Sequence, residues 1–347
     1  MPCHCWRATS GAAQVRLKTA IAIAALATMF SVSAREPVQA AGARAWAMPE
    51  RELMVPVEGG RVWVSVNGDL KAASAPVVFI HGGPGSTHTG FGGLTALANQ
   101  RAVVLYDQLD SGMSDHPGDP ANWRVARFVG ELEAIRKALK IERWHVVGHS
   151  WGSAIALEYA ATYPGHVAST VLSGTFISTP HWILGTNLLI RELAPEVQRD
   201  ILACEGNNRP SAKTCEAAEA AFSAAYAGRP DGPPRSAQAL AYRKRTEGKG
   251  FNKNLYNAMW GPSEFSARGS LVGYDATPLL AKIDGKRTLF MIGQYDEARL
   301  ETVRNFVSLT PGAELAVVPG GSHASMSERP VETEGLLRGW LARKDAK

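Results

Sequence analysis

Ser150 stands at the centre of Gly148-His149-Ser150-Trp151-Gly152. The apolar run "WHVV" precedes it and "SAIALEYAATY" follows it. A strand that turns into a helix at a single serine leaves no room for side chains two residues away, hence the two glycines. Such a turn lifts the hydroxyl above the sheet. It also aims the next N–H, that of Trp151, at a developing oxyanion. The chemistry on offer is nucleophilic attack on a carbonyl carbon.

A serine hydroxyl needs a base, and the base needs an orienting carboxylate. In a strand-turn-helix setting both are expected later in the chain, acid before histidine. Asp296 follows "RTLFMIG" in "GQYDE", and His323 follows "AELAVVP" in "PGGSHAS". Asp275 and Asp284 precede that first strand, which leaves Asp296 as orienter and His323 as base. His81 and His149 read as shaping loops around the site. The second oxyanion donor is expected from "HGGPG", His81 to Gly85: the Gly83 N–H, with Gly82 as the alternative. The Gly83-Pro84 bond is a candidate for the cis form. No Lys-Ser/Thr pair follows these glycines, so a phosphate cradle is not indicated.

The elements that must hold these residues alternate in type. "ELMVPVEGGRVWVSVNG" reads as a hairpin about a Gly-Gly turn. "PVVFIHGG", "RAVVLYD", "WHVVGHS" and "VASTVLSG" read as buried parallel strands. Apolar residues at helical spacing over 122–140 predict a helix, and a second helix follows Ser150. From about Phe176 to Phe265 the pattern is helical and Ala-rich, broken by "GRPDGPPRS". Strand and helix then alternate again, with helices predicted over 298–309 and 331–343. The fold expected is α/β: a mostly parallel sheet flanked by helices. Residues 48–175 and 270–347 form its core, and 176–269 an inserted helical cap over the carboxyl ends of the strands.

The chain has 347 residues, 45% hydrophobic and 20% charged, an ordinary globular composition. Its net charge of +5 owes three positives to Arg7, Arg16 and Lys18. Without residues 1–34 the 37 basic residues fall to 34, against 32 acids. No basic stripe is interleaved with aromatics, so nucleic acid is not an expected partner. Residues 1–34 read as an export signal, with an apolar run from Ala20 to Phe30 closed by Val32-Ser33-Ala34; a second cleavage point is Val38-Gln39-Ala40. The run is shorter than the ~20 residues of a membrane span. Residues 35–47 read as a disordered linker. An exported protein, periplasmic or secreted, favours a disulfide between Cys204 and Cys215, two buried thiols being the alternative. No further ligands stand near them for zinc, and no metal or organic cofactor is expected.

Taken together, "HGGPG", "YDQLDSGMSD", "GHSWGSAIALEYA", "MWGPSEF", "GQYDE" and "GGSHAS" resemble the proline iminopeptidase family of α/β-hydrolases. The branch of tricorn-interacting aminopeptidases and L-amino-acid amidases is the nearest in look. The resemblance runs from about Met48 to Arg343. It implies cleavage of an amide bond beside a free α-amino group, by Ser150, His323 and Asp296. It also implies that two glutamates, Glu264 in "GPSEF" and Glu297 after the aspartate, hold the substrate's ammonium. The expected substrate is a small peptide or an amino-acid amide. Two departures stand out: Asp110 occupies a position that is glycine in many members, and many members lack an export signal. The competing readings are a carboxylesterase or lactonase, which has no need of Glu264 and Glu297, and an inactive hydrolase fold used as a ligand receptor. Trp182, Tyr256 and Trp260 would set side-chain preference, although each taken singly reads as cap core.

Overall fold

The structure, a computed structural model, describes residues 46–346 apart from residue 208. The signal read over 1–34 and most of the linker lie outside these residues. The linker's last two residues are packed rather than loose. Trp46 is buried and stacks on Tyr242 with ring centroids 4.7 Å apart, while the Ala47 N–H donates to Thr95 Oγ1. One large indole with a matching aromatic face is enough to seat this segment.

Eight strands form one sheet: β1 (Arg51–Val57), β2 (Gly60–Asn67), β3 (Val77–Ile80), β4 (Val103–Tyr106), β5 (Trp144–His149), β6 (Val167–Ser173), β7 (Thr288–Gly293) and β8 (Glu314–Val318). Their order is β1-β2-β4-β3-β5-β6-β7-β8. The hairpin β1–β2 and its junction with β4 are antiparallel, and every other pairing is parallel. Alternation along a strand sends successive side chains to opposite faces. In β3, Val78 and Ile80 join one core cluster and Val77 and Phe79 another. Both faces are covered, which is why β3 and β4 are apolar without a break; β5 and β6 admit the buried His145 and Ser169, bonded to each other at 2.8 Å.

Helices α1 (Val125–Ala138) and α2 (Trp151–Thr162) follow β4 and β5. Between β6 and β7 the chain runs through α3 (Thr179–Ile190), α4 (Pro195–Glu205), α5 (Ala212–Phe222), α6 (Ala237–Arg245) and α7 (Lys253–Met259), with no named strand among them. Helix α8 (Leu300–Ser308) follows β7, and α9 (Ser325–Glu328) and α10 (Pro330–Asp345) follow β8. A disulfide joins Cys204 at the end of α4 to Cys215 in α5. No helix among the described residues is long and apolar enough to cross a membrane.

Candidate active site

The carboxyl ends of β3, β5, β7 and β8 carry the candidate residues. Parallel pairing sets Ile80 beside Gly148, so the "HGGPG" loop leaves its strand next to the serine turn. Ser150 has φ 54° and ψ −127°, a conformation that costs an L-residue roughly 1–3 kcal/mol. The surroundings enforce it. The Ser150 N–H donates to Ser173 O at 2.9 Å, and Ser153 donates to Ser150 O from its N–H and its hydroxyl at 2.8 and 2.6 Å. The flanking glycines are needed: a Cβ at Gly148 would lie 2.1 Å from Gly152 O, and one at Gly152 2.2 Å from Ile80 O.

His323 Nδ1–H donates to Asp296 Oδ1 at 2.7 Å. Asp296 also accepts the N–H groups of Ala298 at 2.9 Å and Gly293 at 3.2 Å. Burial disfavours its ionised form, but His323 and these donors outweigh burial and hold the carboxyl below the usual range. His149 lies against His323 with ring centroids 4.6 Å apart. Burial, helped by His323, pushes His149 down to about 3, so it stays neutral. Asp275 and Asp284 are occupied elsewhere, accepting from the N–H groups of Thr277 and Lys286.

Trp151 opens α2, so its N–H has no acceptor within the helix. Gly83 and Pro84, joined by a cis peptide bond, line a small pocket with Ser150, Trp182, Trp260 and Glu264. Gly82 comes nearest the serine itself: a Cβ there would lie 2.7 Å from Ser150 Cβ.

Glu264 lines this pocket, and it meets Glu297 in the wall of an adjoining cavity. Glu264 accepts a hydrogen bond from Tyr256 Oη. Glu297 is only 4% exposed; its Oε1 stands 3.4 Å from His323 Nε2, and its Oε2 is buried without a hydrogen-bond partner. Burial and the nearby Glu264 and Asp296 carboxylates raise Glu297 to about 8 against the pull of His323. Glu264 is also raised, by burial first. For His323, burial works downward, but Asp296, Glu297 and Glu264 outweigh it and lift the imidazole to about 9. Three ionised carboxylates would exceed what one imidazolium can offset, so Glu297 and Glu264 hold their protons until a cation arrives. Such a pocket suits a cationic group.

The α/β-hydrolase fold model matches residues 75–330. The proline iminopeptidase of Heyndrickxia coagulans is 37% identical over 292 residues, covering 84% of this chain and 98% of that one. That of Levilactobacillus brevis is 31% identical over 301 residues, covering 86% and 98%. The chain is an α/β-hydrolase of the proline iminopeptidase family. Among solved structures, the proline iminopeptidase of Mycobacterium smegmatis superposes with a TM-score of 0.75 at 29% identity, covering 85% of this chain and 99% of that one. VinJ gives 0.76 at 30% identity, with coverage of 85% and 99%.

One residue of this α/β-hydrolase escaped the sequence reading. Gln108 is fully buried, and its amide joins the two halves of the oxyanion region. Nε2 donates to His81 O at 2.8 Å, and Oε1 accepts Trp151 Nε1–H at 3.1 Å. Its own N–H donates to His81 Nε2 at 3.0 Å. The sequence signals were its place beside Asp107 at a strand end and within the "YDQLDSGMSD" motif, and neither assigned it a role.

Asp110, the departure from glycine, has φ 64°. Its carboxylate accepts the Gly118 N–H at 2.7 Å and Trp123 Nε1–H at 2.8 Å. Those two bonds compensate for a conformation that glycine would adopt freely. Trp182, Tyr256 and Trp260, expected as cap core, are instead buried in the main core cluster with Trp151 and Phe176. Trp182 meets His323 edge-on at 5.6 Å. Core and pocket wall are here the same residues. Among the described residues no group of three side chains could hold a metal ion.

Proposed function

We infer that the chain is a serine aminopeptidase, releasing an N-terminal residue with a free amino group from peptides or amino-acid amides. The observation that carries the reading is the pair of carboxyls beside the catalytic residues: Glu264 in the Ser150 pocket and the buried Glu297 against His323. A substrate ammonium held there would set the first carbonyl carbon over the serine. A blocked amino group would leave both carboxylates buried and unpaired. The pocket walls Phe176, Trp182, Trp260 and Leu271 leave little space, so a first side chain held within this pocket is compact and apolar, as proline's is, and a longer one must leave past Glu264.

His323 takes the Ser150 proton as Oγ bonds to the carbonyl carbon. The N–H groups of Gly83 and Trp151 receive the oxyanion; one such donor is typically worth about 3 kcal/mol. As the C–N bond breaks, His323 passes its proton to the leaving amine. A water then gives a proton to His323 and attacks the acyl carbon. The proton returns to Ser150 as the free amino acid leaves. Asp296 keeps the ring in the Nδ1–H tautomer throughout.

We also propose that the chain is exported to the periplasm or the medium. The Cys204–Cys215 bond is in keeping with an oxidising compartment. Cell fractionation with N-terminal sequencing tests this, the expected first residue following Ala34 or Ala40.

The deciding assay is a panel of aminoacyl naphthylamides, free and N-acetylated, beside p-nitrophenyl acetate, with Ser150→Ala in parallel. Turnover of the free-amino forms, lost on acetylation and in the variant, is expected. Turnover of the ester alone would leave an esterase. A folded protein that turns over nothing and resists a fluorophosphonate probe would leave a ligand receptor.

A further inference from the structure

A cavity of about 540 Å³ shares Glu264 with the Ser150 pocket and has Glu297 in its wall. Two more carboxylates, the exposed Glu216 and Glu219 of α5, line its outer rim, with Lys253 of α7 the one cation in the lining. Lys253 and Arg209 act on Glu219 through space, and neither forms an ion pair with it among the described residues. Glu219 is near enough to help raise the Glu264 carboxyl. At the inner end stands Glu297 Oε2, buried and without a partner. The flanks are apolar: Phe222 and Phe265 pack edge to face with centroids 4.8 Å apart, and Phe251 lies across from them. An aliphatic stem ending in a positive charge fits such a lining.

We propose that this cavity is a subsite for a second positive charge on the substrate, a Lys or Arg side chain on the first or second residue. Glu216 and Glu219 are its carboxylates, and Lys253 limits its strength. The proposal rests on the reading of Glu264 and Glu297 as the ammonium ligands. The two readings fail separately. Loss of sensitivity to acetylation on a neutral substrate removes the ammonium reading. Loss of charge preference alone removes only the subsite.

The test compares kcat/KM for lysine and norleucine in two arms, as the N-terminal residue of a 4-nitroanilide and as the second residue of an alanyl dipeptide amide. At low salt the wild type should favour lysine about three- to tenfold in one arm, which identifies the residue that reaches the cavity. High salt should shrink the preference. The ratio should fall to near one in Glu216→Gln/Glu219→Gln and rise in Lys253→Gln. A wild-type ratio near one in both arms overturns the proposal. So does a preference that survives the double substitution.

Discussion

His323 is held between two consecutive carboxylates: Nδ1 lies 2.7 Å from Asp296 Oδ1, and Nε2 lies 3.4 Å from Glu297 Oε1. Nε2 is the nitrogen that must take the serine proton. In the free enzyme both neighbours favour the imidazolium, so the ring is lifted to about 9. A protonated ring cannot act as base, so kcat/KM should rise with pH as His323 deprotonates. Ionisation of Glu297 near about 8 works in the same direction, because the ammonium needs the charged form. A bound ammonium offsets the pull of Glu297 on the ring. The acidic limb of kcat should therefore lie below that of kcat/KM. Glu297→Gln should move the kcat/KM limb down by roughly one pH unit while raising KM. A limb near 6.5 in both proteins would rule this coupling out.

Ser150 holds a backbone conformation that L-residues avoid. Ser150→Gly should abolish turnover, by roughly 10⁴-fold or more. It should also stabilise the fold by about 1 kcal/mol, the relieved strain exceeding the extra chain entropy of glycine. Thermal unfolding should show a rise in Tm of about 2 °C. A lower Tm would mean that the serine side chain supports the fold more than its conformation strains it.

Gln108 grips His81 O and the Trp151 indole at once. Gln108→Leu should lower kcat roughly tenfold to a hundredfold through misplaced oxyanion donors, with KM within about threefold. Gln108→Glu keeps the acceptor for Trp151 but not the donor for His81 O, and should fall between the two. Steady-state kinetics distinguish the roles: a change confined to KM would place Gln108 in substrate binding instead.

The disulfide closes a short loop between α4 and α5, and α5 ends at Phe222 on Phe265, next to Glu264. Cys204→Ala/Cys215→Ala should cost about 2–3 kcal/mol of stability. KM should rise more than kcat falls, because the loosened wall belongs to the ammonium pocket and not to the triad. Denaturant titration and kinetics on one neutral substrate measure both effects. Unchanged stability would mean that the cap is already held by its packing.

Much of this arrangement was legible before any coordinates. The strands are short runs, and β3, β5, β7 and β8 lead directly into the loops that carry Gly83, Ser150, Asp296 and His323. Ser150, Asp296 and His323 follow from order and position because a parallel sheet brings its strand ends to one edge. The helix expected over 122–140 begins at Val125, since Asn122 closes a separate short turn behind Pro120. Gln108 was not legible: a lone glutamine carries no periodicity, and its partners lie 27 and 43 residues away. Nor was the contact between Glu297 and His323, which depends on how two loops face each other. Asp110 looked like a defect until Trp123 and Gly118 supplied its partners.

The cap enters the chain between β6 and β7 and leaves again as one piece. Of the residues assigned roles, Ser150, Asp296, His323 and Glu297 come from the core stretches, while Glu264 comes from the insert. The bond-breaking residues thus all belong to the core stretches, while the ammonium pair draws one carboxyl from the core and one from the insert. A gene could trade one insert for another and keep the same bond-breaking engine. Such an exchange would replace Glu264, Trp182 and Trp260 together and leave Ser150, Asp296, His323 and Glu297 on their strand ends.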